Sequence, residues 1–176
     1  MKRTITTLSI ALACALSVTN LAPAYAANTT TQTLKATVNG AVFESDDNGI
    51  TYLIPTKGVL NLIASTKGGS AYPPPKTLSD RLSFNCRGFD LAAKTYTAED
   101  FDSKVCEARF IKGESRKPFG DPEAEFSVVR GQNMLEITSV KGKVIEGKFS
   151  LELEDKKSKA KMTIIEGTFK AEDRQY

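Results

Sequence analysis

The chain contains no histidine, and that gap removes a large part of the available chemistry. A serine or cysteine nucleophile has no imidazole base, the usual zinc sets lose their nitrogen ligand, and the commonest general base near neutral pH is missing. Carboxylates, lysines and thiols remain. Closely spaced carboxylates occur in Asp46-Asp47-Asn48-Gly49 and in two Glu-Gly pairs, Glu146-Gly147 and Glu166-Gly167. The first run invites a calcium reading, but the spacing of an EF-hand loop is absent, and Asp and Asn with Gly are ordinary turn chemistry. The second set would suit an acid and base pair, yet glutamate on a strand is generally solvated, so both pairs read as structural. GESRKPFG lacks the spacing of a phosphate loop. A Ser-Lys or carboxylate pair comes together only in three dimensions, and no segment advertises one. The residues therefore assign no catalytic group, no metal ligand and no cofactor.

Thiols are the other reactive class. Leu82, Phe84 and Cys86 alternate with Arg81, Ser83 and Asn85, and Cys106, Ala108 and Phe110 alternate with Val105, Glu107 and Arg109. Laid antiparallel with Cys86 opposite Cys106, Phe84 falls opposite Ala108 and Leu82 opposite Phe110, so both strands present one apolar face. In an oxidising compartment this predicts a Cys86–Cys106 disulfide. Closing a loop of that size stabilises the fold by about 3 kcal/mol on the chain-entropy argument. A redox-active pair would need CxxC spacing or a helix N-terminus to lower a thiol pKa, and neither is present.

The compartment follows from the first 26 residues. Lys2 and Arg3 precede a mostly apolar run from Ile5 to Val18, and Ala24-Tyr25-Ala26 is a small-x-small cleavage site, the pattern of a secretory signal peptide. Cleavage after Ala26 yields a chain beginning at Ala27, exported to the periplasm or the extracellular space. The apolar run is too short for a membrane span, and no second transmembrane segment follows. Cys14 offers lipidation as an alternative, but the run would then be cut in half. The 24 Lys and Arg, less Lys2 and Arg3, leave 22 basic against 21 acidic side chains. Charge so nearly balanced gives no reason to expect nucleic acid or an anionic membrane as partner.

Residues able to recognise a partner lie in two long connections. TKGGSAYPPPK places Tyr72 beside Pro73, Pro74 and Pro75, an aromatic next to a stiff polyproline rod. KGESRKPFGDPEAE carries Arg116 and Lys117 next to Phe119, whose ring asks for burial or a partner. Binding residues sit disproportionately on such loops, and these seven form the candidate interaction surface. The competing reading makes both loops crossovers between two sheets.

Strands must carry all of this. The best supported lie in the C-terminal stretch, where VIEGKF at 144–149 recurs as IIEGTF at 164–169. Phe149, Leu151 and Leu153 alternate with polar residues, and a tight turn at Asp155 to Ser158 brings Phe149 opposite Ile164, Leu151 opposite Met162 and Leu153 opposite Ala160. Beyond Glu166 the parity fails, and a bulge near Gly167 restores it. Asn39-Gly40 predicts a type I′ hairpin between Leu34 to Val38 and the residues that follow. Further strands are expected at Ile50 to Ile54 and Val59 to Ala64, and a hairpin of Phe126 to Val129 with Met134 to Val140. The segment between the cysteines contains either a strand or a helical turn, which periodicity leaves open.

About nine or ten short strands without a long amphipathic helix make one all-β domain over 34–176, after a lead-in at 27–33. The expected architecture is an antiparallel β-sandwich, because the two long loops look like crossovers. The alternative is a partly open, lipocalin-like β-barrel.

The run from Met134 to Glu172, together with ATVNGAVFES, resembles a family of small exported bacterial all-β domains of unknown function, in which an I-x-G-x-F strand is followed by an I-x-x-G-x-F strand. The resemblance implies an all-β fold and carries no catalytic residue. Many members are lipoproteins, whereas this chain lacks an apparent lipid-anchor cysteine and adds the internal pair. The expected function is that of an exported, non-enzymatic binding domain for another protein or a small ligand, of the periplasmic inhibitor or immunity type. The alternatives are a carrier of a small apolar ligand inside a barrel, and a histidine-free enzyme using carboxylates or lysines. The carrier requires Phe84, Phe149 and Leu151 to line a void rather than fill a core.

Overall fold

The computed structural model describes residues 31–68, 78–114 and 121–174. The leader, Cys14, the cleavage site and all seven candidate interaction residues lie outside them. Eleven strands, one short α-helix and a single 3-10 turn (Asp47–Gly49) occupy the described chain: β1 (Thr33–Val38), β2 (Ala41–Ser45), β3 (Ile50–Leu53), β4 (Gly58–Ser65), β5 (Ser79–Phe89), β6 (Lys94–Tyr96), α1 (Ala98–Asp102), β7 (Cys106–Glu114), β8 (Ala124–Val128), β9 (Met134–Lys141), β10 (Val144–Asp155) and β11 (Lys161–Glu172). The fold is all-β, as the alternating patterns require. The segment between the cysteines holds both a strand and a helical turn.

All strands join one sheet in the order β2-β1-β11-β10-β8-β7-β5-β4-β3, with β9 also on β10 and β6 on β9. The sheet curls until its two ends, which are consecutive in sequence, approach each other. Tyr52 of β3 makes a parallel bridge to Asp173 just after β11, and the N–H of Lys67 donates to the carbonyl of Glu44 in β2 at 2.6 Å. The result is the nearly closed barrel rather than two packed sheets. The crossover argument fails because each long loop joins strands that pair with each other, β4 with β5 and β7 with β8.

Pairing between β5 and β7 follows the predicted register, with Cys86 opposite Cys106, Phe84 opposite Ala108 and Leu82 opposite Phe110. Cys86 and Cys106 form the disulfide, fully buried. The loop it closes contains β6 and α1, so it also holds the excursion that pairs with β9. At the Asn39-Gly40 turn both residues have positive φ, 46° and 82°, as a type I′ hairpin demands.

Two predicted pairings are corrected. In the β10–β11 hairpin Leu151 faces Ile164, Leu153 faces Met162 and Phe149 faces Gly167, a register two residues from the expected one. The turn is wider: Asp155 N–H donates to the Ala160 carbonyl at 2.9 Å, and the Asp155 carboxylate accepts from Ser158 N–H at 2.7 Å and Ser158 Oγ at 2.5 Å. An even shift leaves the buried face unchanged. The bulge stands at Ile165-Glu166, where Glu166 has φ 54°. It turns Phe169 inward and leaves Ile165 half exposed.

The second correction concerns β8 and β9, which do not form a hairpin. Both pair antiparallel with β10, β8 at Leu153 to Asp155 and β9 at Val144 to Ser150, so they are two halves of one interrupted strand. Asn133, buried in the interruption, stands in for backbone. Its Oδ1 accepts from Glu152 N–H at 2.8 Å and its Nδ2 donates to the Val129 carbonyl at 2.7 Å.

Inward side chains fill the barrel. Phe84 and Phe149 meet edge to face with ring centroids 5.1 Å apart, and Phe169 lies 6.4 Å from Phe149. The repeated G-x-F phrase acquires a physical meaning here, since Gly147 is opposite Phe169 and Phe149 opposite Gly167. Each glycine leaves room for the other copy's ring, and a Cβ at Gly167 would stand 2.5 Å from the Phe149 ring. Outward positions carry charge, as in Lys148–Glu136 at 3.1 Å and Lys170–Glu146 at 3.6 Å. A membrane-spanning barrel shows the reverse alternation. Among the described residues no helix is long and apolar enough to cross a membrane.

Candidate interaction surface

Strand direction gathers four connections at one end of the barrel: the Asn39-Gly40 turn, the β4–β5 loop, the β7–β8 loop and the Lys156–Lys159 turn. The two loops predicted to recognise a partner therefore leave from the same end. Tyr72, Pro73, Pro74, Pro75, Arg116, Lys117 and Phe119 lie beyond the described chain, but the residues from which their loops spring are in place.

Asp80 ties those roots together. Its carbonyl accepts from Thr66 N–H at 2.9 Å and its N–H donates to Thr66 Oγ1 at 2.9 Å, closing the base of the first loop. Its carboxylate accepts from Gly113 N–H at 2.8 Å, on the strand that leads into the second. Gly113 has φ 62°, a conformation that glycine adopts without strain. Glu123 N–H then donates to the Lys112 carbonyl at 3.0 Å where the second loop returns. One aspartate thus fixes both loop bases relative to each other. The sequence carries no signal for this, because Asp80 is an isolated acid at a strand start and its partners are 14 and 33 residues away.

Between these roots and the Asn39-Gly40 turn opens a cleft of about 360 Å³. Its floor is apolar, with Phe43, Phe110, Phe126 and Met162 almost wholly buried, and Phe43 and Phe110 in edge-to-face contact at 5.7 Å. Thr66, Asp80 and Lys112 supply polar groups to its rim. Val42 beside it is 80% exposed, the most solvent-exposed large apolar side chain among the described residues. Its alternation in AVFES marked a strand but not an open edge, so sequence reasoning missed it.

The carboxylates singled out for chemistry are engaged elsewhere. Asp46 accepts from Gly49 N–H at 3.2 Å and Gly68 N–H at 3.0 Å. Asp47 takes a two-pronged contact from Arg174 at 2.7 and 2.9 Å and a bond from Gln32 N–H at 2.7 Å. The Arg174 guanidinium holds the Asp47 carboxyl below its usual range, with the Gln32 bond adding to the effect. Glu44 is lowered by Lys35 first and Lys67 second. Glu146 pairs with Lys170 across the strands, while Glu166 is an exposed bulge residue. Among the described residues no group of three or more Cys, Asp or Glu is disposed to hold a metal ion.

A second cleft, of about 330 Å³, lies on the outer wall beside α1. Its cations Arg109 and Lys156 both reach Glu125, at 3.7 and 3.0 Å, and Arg130 reaches Asp102 at 3.7 Å. Their charge is largely matched, so the wall offers no strong field for an anion.

No family model matches the chain, and no curated protein or solved structure matches it.

Proposed function

We propose that the protein is an exported, non-enzymatic interaction domain that meets another protein through the loop-bearing end of its barrel, as an inhibitor or immunity-type factor does. One observation carries the reading: Asp80 anchors the bases of both long loops beside an apolar cleft with an exposed valine at its lip. Loops held on a rigid scaffold next to unfilled apolar surface are what protein recognition uses. Export rests on the leader, and the buried disulfide is compatible with it. The packed contact of Phe84 with Phe149 favours a filled interior over a ligand-lined one. The absence of histidine and the engagement of the clustered carboxylates favour binding over catalysis.

The test is native mass spectrometry of the oxidised protein recovered gently from its own exported fraction. The expected species is a complex with a second protein, lost on Tyr72→Ala or Phe119→Ala. A stoichiometric small molecule instead would replace this reading with the carrier.

A further inference from the structure

We propose that the open edge of β2 accepts an extended segment of the partner protein as an added strand, with alternate side chains of that segment entering the cleft over Phe43 and Phe110. The inference rests on the interaction reading and names the element that does the binding.

The argument starts from the hairpin. In a two-residue type I′ turn the flanking residues, Val38 and Ala41, form a mutually bonded pair. Bonding then alternates, so Ala41, Phe43 and Ser45 direct their N–H and C=O groups toward β1, and Val42 and Glu44 direct theirs away. The Lys67 N–H reaching the Glu44 carbonyl confirms that direction. Among the described residues, strand β2 pairs only with β1. The N–H and C=O of Val42 and the N–H of Glu44 have no partner among the described residues. A row of unpaired strand groups is a template for another strand.

Side-chain alternation says what that strand must look like. A residue opposite Phe43 points inward, to the apolar cleft, while residues opposite Val42 and Glu44 point to solvent. The pairing is short, because Lys67 already occupies the Glu44 carbonyl and forms, with Lys35, a charged guard around Glu44 at 3.6 and 3.2 Å. Backbone bonds to the N–H and C=O of Val42 and the N–H of Glu44 set the register, and the cleft selects apolar residues at alternate positions. The occupant is therefore an extended segment with apolar side chains at i and i+2.

A library of random nine-residue linear peptides, panned against the oxidised chain from Ala27 onward, provides the probe. Enriched peptides are expected to carry apolar residues at alternate positions. Val42→Pro removes the outward N–H and leaves every bond to β1, a change an edge strand tolerates. It is expected to weaken enriched peptides by about tenfold or more, the worth of one or two backbone bonds. Val42→Thr, which keeps the N–H and the β-branch, is expected to leave binding unchanged. Should Val42→Pro not fold, amide exchange in the unaltered protein decides: Val42 and Glu44 exchange freely alone and are slowed by an enriched peptide. No enrichment, equal binding to Val42→Pro, or unchanged exchange at those two amides overturns the proposal. So does a dimer abolished by Val42→Pro, since a second copy would then own the edge. Capture of the partner by the Val42→Pro chain but not by Asp80→Ala would overturn the added strand and leave the interaction reading standing. Capture unaffected by either change would remove this end of the barrel from both.

Discussion

The reciprocal fit of the two G-x-F phrases makes the most demanding prediction. A Cβ on Gly167 would lie 2.5 to 2.6 Å from three carbons of the Phe149 ring, and that ring is 98% buried against Phe84. Neither ring has room to swing away, so Gly167→Ala is an overpacking change costing about 1–3 kcal/mol. For a domain of this size that lowers the Tm by about 2–10 °C. Phe149→Leu alone leaves a partial cavity and also destabilises. Together the two changes relieve each other, and the double variant is expected to be no less stable than Phe149→Leu. The matching position behaves differently. A Cβ on Gly147 would meet the Phe169 ring and, closer still, the backbone carbonyl of Glu136, so Phe169→Leu does not rescue Gly147→Ala. The assay is urea unfolding of all six variants followed by far-UV circular dichroism, since the chain has no tryptophan. A double-mutant cycle gives a favourable coupling of about 1 kcal/mol or more at the 149/167 pair and near zero at 147/169. Additivity at the first pair, or equal rescue at the second, would refute the reciprocal packing.

Reducing the Cys86–Cys106 bond, or replacing both cysteines by serine, is expected to cost about 3 kcal/mol, read as a lower urea midpoint with a steeper slope, because the unfolded chain without the crosslink is more expanded. Stability should fall below about pH 4, because Asp155, held down first by the Ser158 hydroxyl, and Asp47, held down first by Arg174, have folded pKa values below the ordinary 3.8. Their contribution is complete above the unfolded value and disappears as pH drops through the folded one. With no histidine to titrate, denaturation midpoints should be flat between about pH 5 and pH 8. Tyr52 and Tyr96, pushed up to about 12 by burial and then by nearby carboxylates, stabilise the fold fully below pH 10 and progressively less above it. Absorbance titration should find both ionising late or together with unfolding. Asp80→Ala is expected to cost about 1–2 kcal/mol of stability and to abolish partner capture at the loop-bearing end.

Period-two alternation was enough to define the faces of most strands and the partner of each cysteine, because both depend only on which side chains share a side. Turn width was not legible. Whether Asp155 closes on Ser158 or on Ala160 depends on a carboxylate accepting from two groups of Ser158, and both registers bury the same residues. The β8–β9 hairpin failed for a related reason. An Asn side chain inserted into the β10 ladder makes Arg130 to Asn133 read as a turn, although the chain runs straight on. The all-β class and the partly open barrel were both legible, but the sandwich was preferred on loop length, which reports nothing about whether the flanking strands are neighbours. At the candidate surface, the loop segments were legible as connections, whereas Asp80 and the edge at Val42 were not, since one acts through distant partners and the other through the absence of a neighbouring strand among the described residues.

Two regions of the barrel differ in a way that bears on function. Around the β2–β3 connection, the protein uses its own chain as a closure. Arg174 grips Asp47 and Glu172, Gln32 bonds Asp47 and the Glu172 N–H, and α1 sets Phe101 into the core near the disulfide. The charged groups there find partners and Tyr52 beneath them is buried, whereas the buried hydroxyls of Ser45 and Tyr96 have no partner among the described residues. At the loop-bearing end a cleft lies over Phe43 and Phe110, and the adjacent strand edge has no partner strand among the described residues. An asymmetry of that kind separates stability from recognition. Arg174→Ala should therefore lower the urea midpoint while leaving partner affinity at the β2 edge intact, and Val42→Pro should do the opposite. If Arg174→Ala weakened binding as strongly as it weakened folding, the two regions would be coupled and the assignment of recognition to the β2 edge would fail.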